Sequence, residues 1–220
     1  MKRREFIVIP AKTLGGLLLY SLQGKAIFEG SRASSIKVPL RFFTAREAQV
    51  IQAASARIFP TDDSGPGATE AGVVVYIDRQ LASPYGLDKY RYTKEPWVEA
   101  GPEYGYQGKA NPQEIYRDGI QALGNFTELS LAQQDEKLAT IEKTHFFELL
   151  HTHTIEGMFC DPLHGGNVDL VGWQLIGFPG PVMGYRDEVD KHYGKAYRPT
   201  PRSLEQILGH PVKGVEDEPA

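Results

Sequence analysis

Apolar residues along this chain recur every three or four positions, the spacing that places them on one face of an α-helix. Alternation of apolar and polar residues, the pattern of a half-buried strand, is not convincing anywhere. The spacing predicts five main helices, which run from Thr44 to Phe59, from Ala68 to Ala82, from Asn111 onward, from Ser130 onward and from Thr144 to Phe159. Two shorter helical pieces are predicted from Leu170 to Gly177 and from Asp187 to Tyr193.

Polar residues at the predicted helix starts support this interpretation. Thr44-x-x-Glu47 and Ser130-x-x-Gln133 are capping boxes, in which the two side chains satisfy backbone amides of the first turn. Asn111-Pro112 supplies a cap and a proline in the first turn. The sequence therefore predicts an all-α fold: a small bundle of about five to six helices with long ordered loops rich in glycine, proline and aromatic residues.

Residues 83–111 form the longest predicted loop, and they are rich in aromatic side chains. Tyr85, Trp97, Tyr104 and Tyr106 lie in this loop, together with Tyr90 and Tyr92. Aromatics with little charge favour an ordered loop, and three roles stay open for them. The rings pack on the protein's own core, they contact a partner protein, or they form a platform that binds sugar.

The first 33 residues differ from the rest of the chain in charge and pattern. They contain six basic and two acidic residues, a net charge of +4 (6 − 2). Arg3-Arg4 followed by Phe6, ahead of a mildly apolar run, resembles the twin-arginine signal that sends folded proteins to the periplasm. An ordinary amphipathic helix is the alternative. Residues 1–33 are thus predicted to be a removable export signal, and residues 34–220 a single helical domain.

Charge and cysteine content exclude several classes of function. The whole chain carries −4, so residues 34–220 carry −8 (−4 − 4), which would repel a nucleic-acid backbone. The apolar run from Ile7 to Leu22 is short and contains Lys12, so we expect no membrane span after signal removal. Cys160 is the only cysteine and Cys-x-x-Cys-His is absent, so covalently attached haem must sit on another chain.

The most unusual stretch runs from His151 to Pro181, where glycine, proline, histidine and aromatic residues are concentrated. A metal site is one reading, because six possible ligands lie close together: His145, His151, His153, Cys160, Asp161 and His164. His151 and His153 are two residues apart, whereas zinc-binding helices space their ligands by three or four. Cys160 as a nucleophile and Glu156 with Asp161 as an acid–base pair are further alternatives, and no Gly-x-Gly-x-x-Gly cradle for a dinucleotide is present.

The same stretch carries a spaced motif that identifies a resemblance. It reads Thr154-x-Glu156-Gly157-x-Phe159-x-Asp161-Pro162-x-x-Gly165-Gly166-Asn167, followed by Gly172-Trp173 and Gly177-Phe178-Pro179-Gly180. This pattern resembles gluconate 2-dehydrogenase subunit 3, a family of small, non-catalytic subunits of periplasmic flavin dehydrogenases. The resemblance implies that FAD is carried by a partner of the glucose-methanol-choline type, which oxidises a sugar or polyol. It also implies that haem c, where present, belongs to a cytochrome subunit.

Because the stretch is dense in glycine and poor in charge, like the core of a protein interface, we expect it to face that partner. The residues expected there are Thr154, Glu156, Gly157, Phe159, Asp161, Pro162, Gly165, Gly166, Asn167, Trp173 and Phe178. For Trp173 we favour an interface anchor over a core position. Two other functions remain as alternatives: a free-standing periplasmic enzyme that uses the histidine, cysteine and aspartate cluster, and a sugar-binding module built on the tyrosine-rich loop.

Overall fold

The computed structural model describes residue 36 and residues 38–92, 94–97, 101–182, 184–186, 188 and 190–211. The signal residues Arg3, Arg4 and Phe6 lie outside this part of the chain. Seven α-helices are present in it: α1 (Ala45–Ile58), α2 (Val73–Ala82), α3 (Pro112–Leu123), α4 (Leu131–Ile141), α5 (His145–Phe159), α6 (Val171–Ile176) and α7 (Leu204–Leu208). Four short 3-10 helices, at Pro102–Tyr104, Phe126–Glu128, Pro162–His164 and Val168–Leu170, join some of them.

The helix starts follow from local side-chain chemistry. Thr44, Asn111 and Ser130 each accept a hydrogen bond from the third residue of the helix, whose side chain accepts one in return from the cap backbone. Thr144 caps α5 with its side chain. The predicted starts of α1, α3, α4 and α5 are therefore confirmed.

Helix α5 is the centre of the bundle, because α1, α2, α3, α4 and α6 all pack against it. Its own buried side chains include Phe146, Leu150 and Met158, and α1 and α2 add Ile51, Ile77 and Leu81 to the same core. In the described ranges there is no strand, and the single β-bridge joins Asp62 to Gly65. The predicted all-α class is confirmed. None of the described helices is long and apolar enough to cross a membrane.

Two local predictions are wrong, and one short helix was not predicted. Helix α2 begins at Val73 rather than Ala68, because Gly72 adopts a left-handed conformation with φ of 69° and residues 68–72 form turns. From residue 187 to residue 193 the described residues form turns rather than a helix. The last helix is instead α7, where the capping box of Ser203 and Gln206 is present and was overlooked in the sequence.

Candidate functional site: the glycine-rich segment and the polar groups beneath it

Residues 160–181 wrap across the end of α5, and we call them the glycine-rich segment. Asp161 fixes its beginning, because its Oδ1 accepts a hydrogen bond from the backbone N–H of Leu163 at 3.1 Å. The other oxygen, Oδ2, accepts one from the N–H of Leu204 at 2.8 Å. One carboxylate therefore holds both the glycine-rich segment and the start of α7.

Asn167 is the central polar residue of this segment, and it is fully buried with φ of 47°. Its side-chain amide donates to the carbonyl oxygen of Cys160 at 2.8 Å, and its Oδ1 accepts from the N–H of Gly172 at 2.8 Å. Its own N–H donates to the carbonyl oxygen of Gly157 at 2.8 Å. Through these three hydrogen bonds, the buried Asn167 joins the end of α5 to the start of α6 and holds the turns between them in place.

Two glycines, one in the glycine-rich segment and one in α5, permit close packing around α5. A Cβ atom at position 172 would overlap the carbonyl oxygen of Met158, which is backbone and cannot move aside. A Cβ atom at position 157 would lie 3.2 Å from side-chain atoms of Tyr76 and Val73. Glycine is thus required at 172 by steric contact with α5, and at 157 it allows α5 to approach α2 closely.

Trp173 lies in the interior of the chain, with only 3% of its surface exposed. Its indole Nε1 donates a hydrogen bond to the carbonyl oxygen of Phe159 at 2.7 Å, and its ring makes an edge contact with Phe178 at 5.0 Å between centroids. A ring in this position cannot itself anchor a contact on the surface. The preference for Trp173 as a direct interface anchor is therefore corrected to a core role.

The eleven residues expected at a partner contact fall into three groups. Thr154, Gly157, Gly166, Asn167 and Trp173 are buried; Phe159, Asp161, Pro162 and Gly165 are half-buried; Glu156 and Phe178 are exposed. Thr154 donates to the carbonyl oxygen of Leu150 at 2.7 Å, and Glu156 accepts from the hydroxyl of Tyr76 at 2.9 Å. Most of these residues therefore lie at least partly below the surface and support the side chains above them. Their contact with a partner stays a prediction.

The surface that they support is apolar. Five large apolar side chains in or next to the glycine-rich segment are exposed, and we call them the exposed apolar face: Val168, Ile176, Phe178, Val182 and Tyr185. Asp169 is the only formal charge in the sequence between residues 168 and 185. The sequence pattern did not separate these outward side chains from the buried ones.

His153 is buried on the side of α5 that faces α3 and the loop after α2. Its Nδ1 is 2.8 Å from the hydroxyl of Tyr116, and its Nε2 is 3.0 Å from the hydroxyl of Tyr85. Burial lowers the pKa of His153 to about 4, so the imidazole is neutral. Burial also raises the pKa of Tyr85 to about 12. These three residues form a buried polar chain that the sequence analysis missed.

The proposed metal ligands do not converge. Among the described residues there is no group of three or more histidine, cysteine, aspartate or glutamate side chains that could hold a metal ion. His153 is bound by two tyrosines, and His145 stacks on Tyr106 at 3.9 Å and contacts Glu148. Cys160 Sγ lies 3.7 Å from the carbonyl oxygen of Gly157. The described part of the chain thus holds no cluster of side chains suited to binding a metal ion.

The aromatic loop divides into rings that bind the body and rings that face solvent. Tyr85 bonds to His153, Tyr106 stacks on His145, and Lys109 Nζ lies 5.6 Å from the centre of the Trp97 ring. Tyr104 is 70% exposed, and Tyr90 and Tyr92 are also exposed. Packing on the protein's own body is therefore confirmed for Tyr85 and Tyr106, while a partner or sugar contact by the exposed rings stays a prediction.

Comparison with known proteins agrees with the motif. The family model described as gluconate 2-dehydrogenase subunit 3 matches residues 45–180, more than half of the 220-residue chain. This range covers α1 to α6 and ends within the glycine-rich segment. Searches of curated proteins and of solved structures gave no match. The chain belongs to the gluconate 2-dehydrogenase subunit 3 family.

Proposed function

We propose that this protein is a non-catalytic accessory subunit of a flavin-dependent sugar or polyol dehydrogenase. It binds the FAD-bearing subunit of the glucose-methanol-choline type and stabilises that subunit's fold. Family membership supports the class of complex. FAD resides on the catalytic subunit and haem c, where it is used, on a cytochrome subunit, which fits a chain with a single cysteine.

The exposed apolar face is the observation that carries this proposal. Ile176 is 57% exposed, and the exposed apolar side chains of Phe178, Val182 and Tyr185 follow it in sequence, with Asp169 as the only formal charge between residues 168 and 185. Exposed apolar side chains concentrated in one segment cost free energy in water, and apolar patches mark contact sites on soluble proteins. The scarcity of charged residues in this segment matches the composition of an interface core.

The export part of the proposal rests on the N-terminal sequence. Arg3, Arg4 and Phe6 resemble a twin-arginine signal, and that pathway carries proteins that are already folded. Because a folded complex needs only one signal, this subunit supplies the signal for its partner as well. The complex then functions in the periplasm.

A binding experiment with charge substitutions tests the accessory role. Ile176→Lys places an ammonium group in the exposed apolar face, and we expect it to weaken binding of the catalytic subunit by about 30-fold, or ~2 kcal/mol. Leu131→Lys is the matched control, because Leu131 is 63% exposed at the start of α4, outside this face. Calorimetric titration of both variants checks this. Equal affinity for Ile176→Lys and the native chain contradicts the proposed contact.

Sugar binding is the second candidate function, and one observation favours it. Tyr90, Tyr92 and Tyr104 expose most of their surface in one loop, as rings that stack on pyranose faces do. This function predicts that the chain alone binds an oligosaccharide, with loss on Tyr104→Ala. Binding that appears only in the presence of the catalytic subunit assigns the sugar site to that subunit.

A further inference from the structure

A groove of about 240 Å³ lies between the turn after α1, helix α4 and helix α5. Its walls are mainly apolar and include Ile58, Phe59, Leu138, Phe147, Ile155 and Leu175. A concave apolar surface of this size accommodates one or two large side chains and releases its water when they enter.

The groove is held open by bonds that do not depend on an occupant. Asp62 and Gly65 exchange two backbone hydrogen bonds, of 3.1 and 3.0 Å, which fix the turn on one side. On the other side Arg57 donates to both oxygens of Asp135, at 2.7 and 2.9 Å. A wall preorganised in this way loses little conformational entropy when it binds.

Charge at the groove decides what kind of segment fits it. Asp62, Asp135 and Glu142 line it with three carboxylates, against the single guanidinium of Arg57, so these four residues carry a formal charge of −2 (1 − 3). Asp135 is already bound to Arg57, which leaves Asp62 and Glu142 to attract a cation. The chemistry favours an apolar side chain flanked by lysine or arginine.

The groove adjoins the exposed apolar face at helix α6. Leu175 lines the groove, and Ile176, the next residue of α6, belongs to the face. Gly65 faces the side chain of Leu175, so the turn after α1 contacts α6 at the edge of the groove. A partner that covers Ile176 therefore lies next to a residue that lines the groove.

We propose that the groove receives an apolar side chain of the FAD-bearing subunit, and that a lysine or arginine beside this side chain pairs with Asp62 and Glu142. This inference rests on the proposed function, since it identifies the chemistry of the partner segment at the same contact. The groove then acts as the pocket for an interface anchor, and the carboxylates fix the register of the segment.

Filling the groove tests the apolar part. Ala139 lines it and is exposed, so Ala139→Trp adds an indole there without disturbing the core. We expect this variant to bind the catalytic subunit at least 10-fold more weakly. Ala122→Trp, on the exposed side of α3, is the matched control and should stay within twofold of the native chain. Thermal melts of the full chains verify that both variants are folded.

Charge reversal tests the ionic part. Glu142→Lys should weaken binding about tenfold at low salt, with the difference shrinking as salt is raised. Glu136→Lys, exposed on α4 and outside the groove lining, should change affinity little. Equal effects of the two reversals would overturn the assignment of a basic residue to this groove.

Photo-crosslinking identifies the occupant. With p-benzoylphenylalanine at position 136 of the full chain in the purified complex, beside the groove but outside its lining, we expect a crosslink to an apolar segment of the catalytic subunit that contains lysine or arginine. Crosslinks to another copy, to the same chain, or to a partner segment without a basic residue overturn the proposal.

The binding variants separate this inference from the proposed function. If Ile176→Lys weakens binding and Ala139→Trp does not, the groove inference fails and the proposed function stands. If the native chain does not bind the catalytic subunit, both fail.

Discussion

At the scale of single residues, Trp173 shows how a glycine-rich segment is anchored in a helical protein. Its ring is enclosed, and its indole N–H bonds to the carbonyl oxygen of Phe159. We expect Trp173→Ala to destabilise the isolated chain by ~3–5 kcal/mol, because it removes a large buried ring and leaves a cavity. Ile176→Ala, at an exposed position, should cost less than ~1 kcal/mol. Urea unfolding of the two variants measures both values, and an unchanged midpoint for Trp173→Ala would exclude the core role.

His153 makes a separate prediction about pH. Its folded pKa of about 4 lies below the ordinary value of about 6.5, so the folded state binds fewer protons between these values. Stability that depends on neutral His153 is complete above about pH 6.5 and is lost as the pH falls toward 4. The loss should reach ~3 kcal/mol, and protonation of both ring nitrogens also leaves one of the two tyrosine hydroxyls, that of Tyr85 or that of Tyr116, without its acceptor.

A substitution separates this effect from general acid denaturation. His153→Gln should be less stable than the native chain at pH 7.5 but should lose less stability on going to pH 4.5, because the titrating group is gone. His151→Gln, at an exposed position on the same helix, should keep the native pH dependence. Urea titrations at the two pH values provide the comparison. The same pH dependence in His153→Gln as in the native chain would refute the assignment.

At the scale of elements, α2 serves as an attachment point for the segment that precedes α1. Asp78, buried on α2, accepts hydrogen bonds from three consecutive backbone amides, those of Arg41, Phe42 and Phe43, at 2.7, 3.0 and 2.8 Å. A carboxylate accepts all three bonds, whereas an amide must turn its NH₂ group toward at least one donor. Asp78 therefore fixes how the chain enters the bundle.

Asp78→Asn should cost ~2–3 kcal/mol of stability, because one buried backbone N–H is left facing another donor. Hydrogen exchange should become faster at residues 41–43 while the amides of α5 stay protected. Asp118→Asn, on the exposed side of α3, is the control with the same change of charge and shape. Uniform acceleration throughout the bundle, rather than at residues 41–43, would show that Asp78 stabilises the whole core and not this attachment.

The helices also show how far local pattern determines an element. Four starts were predictable because the capping bonds join residues only three positions apart. The start of α2 was not, because the carbonyl oxygen of Ala71 accepts a hydrogen bond from the N–H of Val168, which is distant in sequence. This contact holds residues 68–72 in turns although their composition suits a helix.

At the scale of the whole molecule, the proposed export route makes a prediction about two chains at once. Arg3→Lys combined with Arg4→Lys should retain this chain and the catalytic subunit in the cytoplasm, because the folded complex relies on one signal. Arg32→Lys, near the end of the same segment, should leave export intact. Fractionation and immunoblotting of both chains measure the outcome. A catalytic subunit that still reaches the periplasm without this signal contradicts shared export.

The sequence by itself determined the helical class, most helix boundaries and the family, because periodicity, caps and a spaced motif are local properties. The tertiary structure decided which side chains of the glycine-rich segment point inward. It buried Trp173 and Asn167 and left Ile176 and Phe178 exposed. It also placed His153 between two tyrosines, 68 and 37 residues away along the chain. Such long-range pairings depend on how the helices pack, and a one-dimensional pattern carries no information about that packing.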